Sequence, residues 1–157
     1  MSETTQNITL LLLTSLAVSF IFLSDAPQEA SQSCSHTPLP VSEVAFKEHT
    51  LVVELATTVV ARECGLSYRK EIKEGHGMLF VFEKEGYHGI WMEHMRFPID
   101  IIWLDEALRV VSIKENVSPD SFPEVFSPSA PALYVLEVNA GEVSSHSFFV
   151  GDTIFLR

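Results

Sequence analysis

The sequence predicts a mainly β domain, a small antiparallel β-sandwich or barrel-like fold with one or two short helices, preceded by an N-terminal hydrophobic helix. Three observations predict it. Strand-like apolar runs of four to six residues recur at short intervals from Leu51 onward. Glycine, proline and asparagine punctuate the gaps between them. One segment only, Thr57 to Gly65, carries both a helix cap and a helix stop. Intervals this short favour a meander or a small closed sheet over βαβ units.

In chain order, Ile8 to Leu23 is sixteen residues without a charge. As a helix it would span roughly 24 Å, short of a hydrocarbon core of about 30 Å. No Lys or Arg precedes it, and Pro27 follows the only small-residue cleavage candidate, so residues 1–23 are expected to form an uncleaved membrane anchor. Residues 24–42, rich in Ser, Pro, Gln and Ala, read as a flexible linker, and residues 43–157 as one β-rich domain. Within it, Leu51–Ala56 is a strand. Thr57 or Thr58 caps a helix over Val59–Cys64, and Gly65 ends it. Met78–Phe82, Gly89–Met92, Ile99–Leu104 and Leu108–Ile113 read as successive strands, with Leu133–Val138 and Thr153–Leu156 completing the set. Between them, residues 118–132 hold four prolines and cannot be a central strand, although Phe122 and Phe126 predict that the loop packs.

Composition excludes some functions. With 46% hydrophobic residues in 157 the chain has enough apolar material for a core. Twenty-one acids against ten bases give a net charge of −11, the wrong sign for a surface that neutralises phosphates, so nucleic acid is not an expected partner. Two cysteines make no framework, and with Cys34 in the linker both are expected as free thiols.

The motifs VVELA at 52–56, CGL at 64–66, GMLFVF at 77–82, WMEHMRFPIDIIWLD at 91–105, YVLEVNAG at 134–141 and GD at 151–152 stand in the order and spacing of a known family. Over residues 43–157 the chain resembles the family catalogued as domain of unknown function 192, also called an uncharacterised ancient conserved region. The resemblance implies a β-dominated fold, commonly exported or tethered, and brings no activity, substrate or cofactor. Ser67 stands where the family often has Met, and Glu93 where it often has a basic residue, so no anion-binding role is carried over to that position.

The candidate site residues are Glu54, Arg69, Trp91, Asp100 and Glu137. Asp100 shares a strand face with Ile102 and Leu104, and a carboxylate there must be paired, hydrogen-bonded or protonated. It is read either as a strand residue satisfying backbone donors or an arginine, or as a site residue. Glu54 and Glu137 lie inside apolar strands and either face solvent or join Asp100 in an acidic cluster. Arg62 and Arg69 are the natural partners of these acids. Trp91, with Trp103, Tyr87 and Phe97, is either core or a platform for a sugar ring. His88 and His94 would lie about 20 Å apart along one strand, so no metal site is expected, and no cofactor either. The expected function is therefore a membrane-tethered, extracytoplasmic domain that binds a small polar ligand such as a saccharide or envelope glycan. The alternatives are a carboxylate-dependent hydrolase, or a structural or assembly domain without a small-molecule site.

Overall fold

The structure, a computed structural model, describes Cys34 and residues 38–157; the expected anchor at 8–23 and nearly all of the linker lie outside the described residues. The elements are β1 (Val41–Phe46), β2 (His49–Ala56), α1 (Val59–Cys64), β3 (His76–Gly86), β4 (Ile99–Leu104), β5 (Val110–Val117), β6 (Ala132–Asn139), α2 (Glu142–His146) and β7 (Phe155–Leu156). A single 3-10 turn covers Pro119–Ser121. The fold is mainly β, as the punctuated apolar runs predict. Among the described residues, no helix is long and apolar enough to cross a membrane.

Seven strands form one sheet in the order β5-β4-β6-β3-β2-β1-β7. The two packed sheets of a sandwich, one alternative of the expectation, are not formed. Instead the segment 151–154 links the sheet's two edges. Val110 N–H donates to Asp152 O (2.8 Å), Gly151 N–H to Val110 O (2.8 Å) and Ile154 N–H to Leu108 O (3.0 Å), and β7 then pairs with β1. Every strand pair is antiparallel except β2 with β3, which run parallel around the α1 crossover. The expectation favoured a meander or small closed sheet over βαβ units, and this crossover is a departure from it. The connection from residue 57 to 75 is long enough to carry the chain back to the start of β3, because only a crossover can join parallel neighbours.

Alternation along the strands gives the sheet two apolar faces. One is built from residues such as Val53, Leu79, Ile102, Leu136 and Val138, and is closed by Val143 of α2 and by Phe148 and Ile154. The other holds Ala56, Met78, Phe80, Ile101, Trp103 and Val135, and is covered by Ala61 of α1 and by Leu66, Ile90, Met92 and Phe126 from loops. These are called the α2 face and the α1 face. Every residue of β4 is buried, so its near-continuous apolar run is that of a strand covered on both sides.

α1 forms where its cap and stop predict. Thr58 Oγ1 accepts from Ala61 N–H at 3.1 Å, and Gly65, at φ +49°, returns its N–H to Ala61 O at 2.9 Å. The predicted strand Gly89–Met92 is not one. Only Ile90 makes a bridge, exchanging bonds with Phe126, because the segment lies over the α1 face as a cover and leaves the ladder. β1 and α2 were not anticipated; β1 begins at Val41, inside the stretch read as linker. The proline-rich loop packs through buried Phe126, while Phe122 stays exposed.

The cysteines correct a second expectation. They are not free: Cys34 and Cys64 form a disulfide with Cα atoms 5.3 Å apart. Pro40 O accepts from Leu55 N–H at 2.7 Å, so the chain before β1 runs alongside the end of β2, where α1 begins. The bridge spans 30 residues, and closing a loop of that length in the unfolded chain corresponds to about 3–4 kcal/mol in the chain-entropy treatment. Cys64→Ser is expected to lower the unfolding free energy by that amount in urea titrations, and a reductant should do the same to the unaltered protein while leaving the variant unchanged.

Candidate functional site

β4 places Asp100 on the α2 face, with Ile102 and Leu104 beyond it, as alternation predicts. Its side chain is buried and fully engaged. Oδ1 accepts from Asn116 N–H (2.8 Å), and Oδ2 accepts from Gly141 N–H and Val143 N–H (both 2.9 Å). Asp100 thus fastens the end of β5 and the entry to α2 onto β4. Its side chain satisfies three backbone donors, and it faces away from the other candidate acids.

Glu54, on β2, and Glu137, on β6, both project onto the α1 face. They sit in one cross-strand row, Glu54, Met78, Glu137 and Ile101, with β3 between the two acids. The acidic cluster of three is therefore not assembled, because residues 54 and 137 share a side of the sheet that residue 100 does not. Glu54 is held by Arg69, whose Nη2 lies 2.8 Å from Glu54 Oε2 while Nη1 bonds Oε1. The hydrogen bonds from this guanidinium hold the Glu54 carboxyl below the usual carboxylate range. Both side chains are only about two-thirds covered, so the pair is a modest anchor for the 65–75 connection.

Glu137 is different. It is buried at 4% exposure, and no hydrogen-bond donor among the described residues reaches its carboxyl group. Burial pushes it up to about 8, with the nearby Arg69 charge opposing the rise. The group is therefore a neutral acid at pH 7. It forms the floor of a cavity of about 240 Å³, walled by Leu66, Phe80, Phe82, Ile90, Met95 and Ile99. Trp91 stands at the same opening and is 49% exposed, which corrects its core reading; Trp103, by contrast, is buried and donates its Nε1–H to His88 O at 2.8 Å.

Two loop segments roof this cavity and are tied together. Ser67 Oγ donates to Glu93 O (2.8 Å), Tyr68 N–H donates to His94 O (3.0 Å), and the Tyr68 and His94 rings stack at 4.6 Å. Ser67 and Glu93, the two departures noted from the family pattern, thus meet over the pocket. Arg62 also lines it but is occupied: Nη1 donates to Thr57 O and Val81 O, and Nη2 to Glu83 Oε1. Sequence reasoning missed the walls contributed by Leu66, Phe80 and Phe82. The signal available was the cluster of large apolar residues on alternate β3 positions, 80 and 82, with nothing in the strand pattern to cover them.

The family model described as DUF192, an uncharacterized ACR, matches residues 41–156. A UPF0127 protein of Thermococcus kodakarensis is 32% identical over 104 residues, which cover 65% of this chain and 62% of that one. A second UPF0127 protein, from Thermococcus gammatolerans, is 33% identical over 104 residues, covering 65% and 64%. The match spans under two thirds of the length of these curated relatives. Among solved structures, a candidate transcription regulator from Sinorhizobium meliloti 1021 superposes with a TM-score of 0.73 at 31% identity, over 78% of this chain and 98% of that one. A protein of unknown function from Novosphingobium aromaticivorans superposes with a TM-score of 0.71 at 26% identity, over 78% and 95%.

The geometry generates two expectations. Asp100→Ala leaves three backbone N–H groups without their acceptor, and should cost at least about 3 kcal/mol in chemical denaturation. Glu137 titrates far higher in the folded than in the unfolded chain, so the folded state holds a proton that the unfolded state has lost. Stability must then fall as pH rises from the ordinary carboxylate value of 4.5 to about 8, by up to roughly 1.4 kcal/mol per unit from this group. Melting temperatures of Glu137→Gln and the unaltered protein should coincide near pH 4 and diverge from about pH 5 up to about pH 8, with the variant the more stable.

Proposed function

This chain belongs to the DUF192 family, and we propose that it is a binding domain that takes a small polar ligand, of the saccharide class, into the cavity over Glu137. One observation carries the reading: a buried carboxyl group with no protein donor stands at the floor of a mainly apolar cavity. Such a group is costly to bury, and a neutral carboxylic acid offers a ligand hydroxyl both a donor and an acceptor. The apolar wall and the half-exposed Trp91 ring complement the C–H face of a sugar.

A carboxylate-dependent hydrolase is supported less well. Glycoside hydrolysis uses two carboxyl groups across one bond, whereas Glu54 is bound to Arg69 and Asp100 faces the other side of the sheet. An assembly role for the proline-rich loop has only exposed Phe122 and Val125 to recommend it.

In this reading the domain lies outside the cytoplasm, tethered through residues 8–23. The Cys34–Cys64 disulfide supports an oxidising compartment, and the sixteen-residue uncharged run supports the tether. The regulator description of the Sinorhizobium meliloti protein is not carried over, because a net charge of −11 opposes contact with nucleic acid.

The test is retention of the purified full chain on a glycan array, with Trp91→Ala and Glu137→Leu as probes. Both variants should keep the fold by circular dichroism and lose at least tenfold in affinity for any glycan retained. Retention unchanged by either substitution would place binding elsewhere, and no retention at all would remove the saccharide class.

A further inference from the structure

The opposite face of the molecule carries a second constellation, independent of the Glu137 cavity. Glu142 and His146 are four residues apart on α2, so both project from one side of that helix. His49 opens β2, directly after the β1–β2 turn, and its ring stacks on that of His146 at 3.6 Å. The three side chains present one ligand atom each within 4.8 Å of one another. Glu142 Oε2 lies 3.4 Å from His49 Nε2 and 3.1 Å from His146 Nδ1.

We propose that His49, Glu142 and His146 form a binding site for a divalent transition-metal ion of the zinc class. Ligand atoms about 2.0–2.1 Å from a tetrahedral ion stand roughly 3.3–3.4 Å from each other, close to both distances that Glu142 Oε2 makes. Two imidazoles and a carboxylate are a donor set suited to such an ion, and they leave a coordination position for solvent.

A second observation points the same way. His49 Nε2 and Glu142 Oε2 are both buried, and neither has a hydrogen-bond partner. Unsatisfied buried polar atoms facing each other are costly, and a shared cation satisfies both. His146 Nδ1 also lies 3.2 Å from Glu142 O. An ion held at His146 Nδ1 would take the neutral imidazole with its proton on Nε2.

The scaffold supports the site. Asp100 Oδ2 holds Gly141 N–H and Val143 N–H, the residues on either side of Glu142, so the carboxylate ligand is mounted on a fixed stretch of backbone. The sequence conceals the set, because His49 enters it from 93 positions before Glu142; the one local signal is the Glu-x-x-x-His spacing after the Asn139-Ala140-Gly141 turn.

The experiment is isothermal titration of the oxidised full chain with zinc chloride at pH 7. One ion per chain is expected, with a micromolar or tighter Kd. His49→Gln and Glu142→Gln should each weaken it at least tenfold, and His88→Gln with His94→Gln should leave it unchanged. His146→Gln, altering the most exposed of the three, serves if either of the first two fails to fold in the metal-free melt. Absence of stoichiometric binding below about 100 µM overturns the proposal, as does a Kd that the His49 and His146 variants leave unaltered.

Discussion

Asp100 is the point on which much of the architecture turns. A single buried carboxylate takes three backbone N–H groups from two separate segments, one at the end of β5 and one at the start of α2. Those donors are orphans of chain geometry. Asn116 is at positive φ near the end of its strand, and Gly141 and Val143 belong to the first turn of a five-residue helix, where no intrahelical acceptor exists. Hydrogen bonds to a charged acceptor are worth about twice neutral ones, which offsets the cost of taking the carboxylate out of water. With that group in place, the chain can turn sharply after β6 and lay Val143 over the apolar face beneath.

The two buried acids of the domain solve the same problem in opposite ways. Asp100 is surrounded by donors, whereas Glu137 has none within the described residues and avoids the charge by keeping its proton. Both outcomes follow from strand parity. On β6, Leu136 and Val138 face α2, so Val135 and Glu137 must face α1, where α1 and the loop covers leave a gap above the sheet. Gly77, on the opposite face, lets β3 and β6 approach closely, because a Cβ there would lie 2.7 Å from the Glu137 carbonyl oxygen.

Much of this was legible in the sequence, and the omissions have physical causes. Strand positions, the capped helix at Thr58–Gly65 and the orientation of Asp100 follow from local rules of periodicity and capping. The parallel pairing of β2 with β3, the failure of Gly89–Met92 to join a ladder and the Cys34–Cys64 bridge depend on contacts between distant segments. Short apolar stretches do not distinguish a strand from a packed cover, as Ile90 and Met92 illustrate. For the site, Glu137 and Trp91, both singled out in the sequence, line one cavity, whereas Asp100, grouped with Glu137, lies on the other face, because identity of residue type says nothing about which side of a sheet each acid occupies. His49, Glu142 and His146 were invisible for the converse reason: each looks ordinary until the fold brings them together.

The seam made by residues 151–154 has a consequence of its own. Open sheets expose a row of unpaired amides at each margin, which can recruit a neighbouring chain and begin ordered aggregation. Here one margin is bonded to the other through Val110, Gly151 and Ile154, and β7 covers the outer side of β1, with Arg157 and Glu43 exchanging backbone bonds. The rest of the β5 margin carries the exposed Lys114 and Glu115, so connectivity at one end and charge along the remainder together disfavour edge-to-edge association.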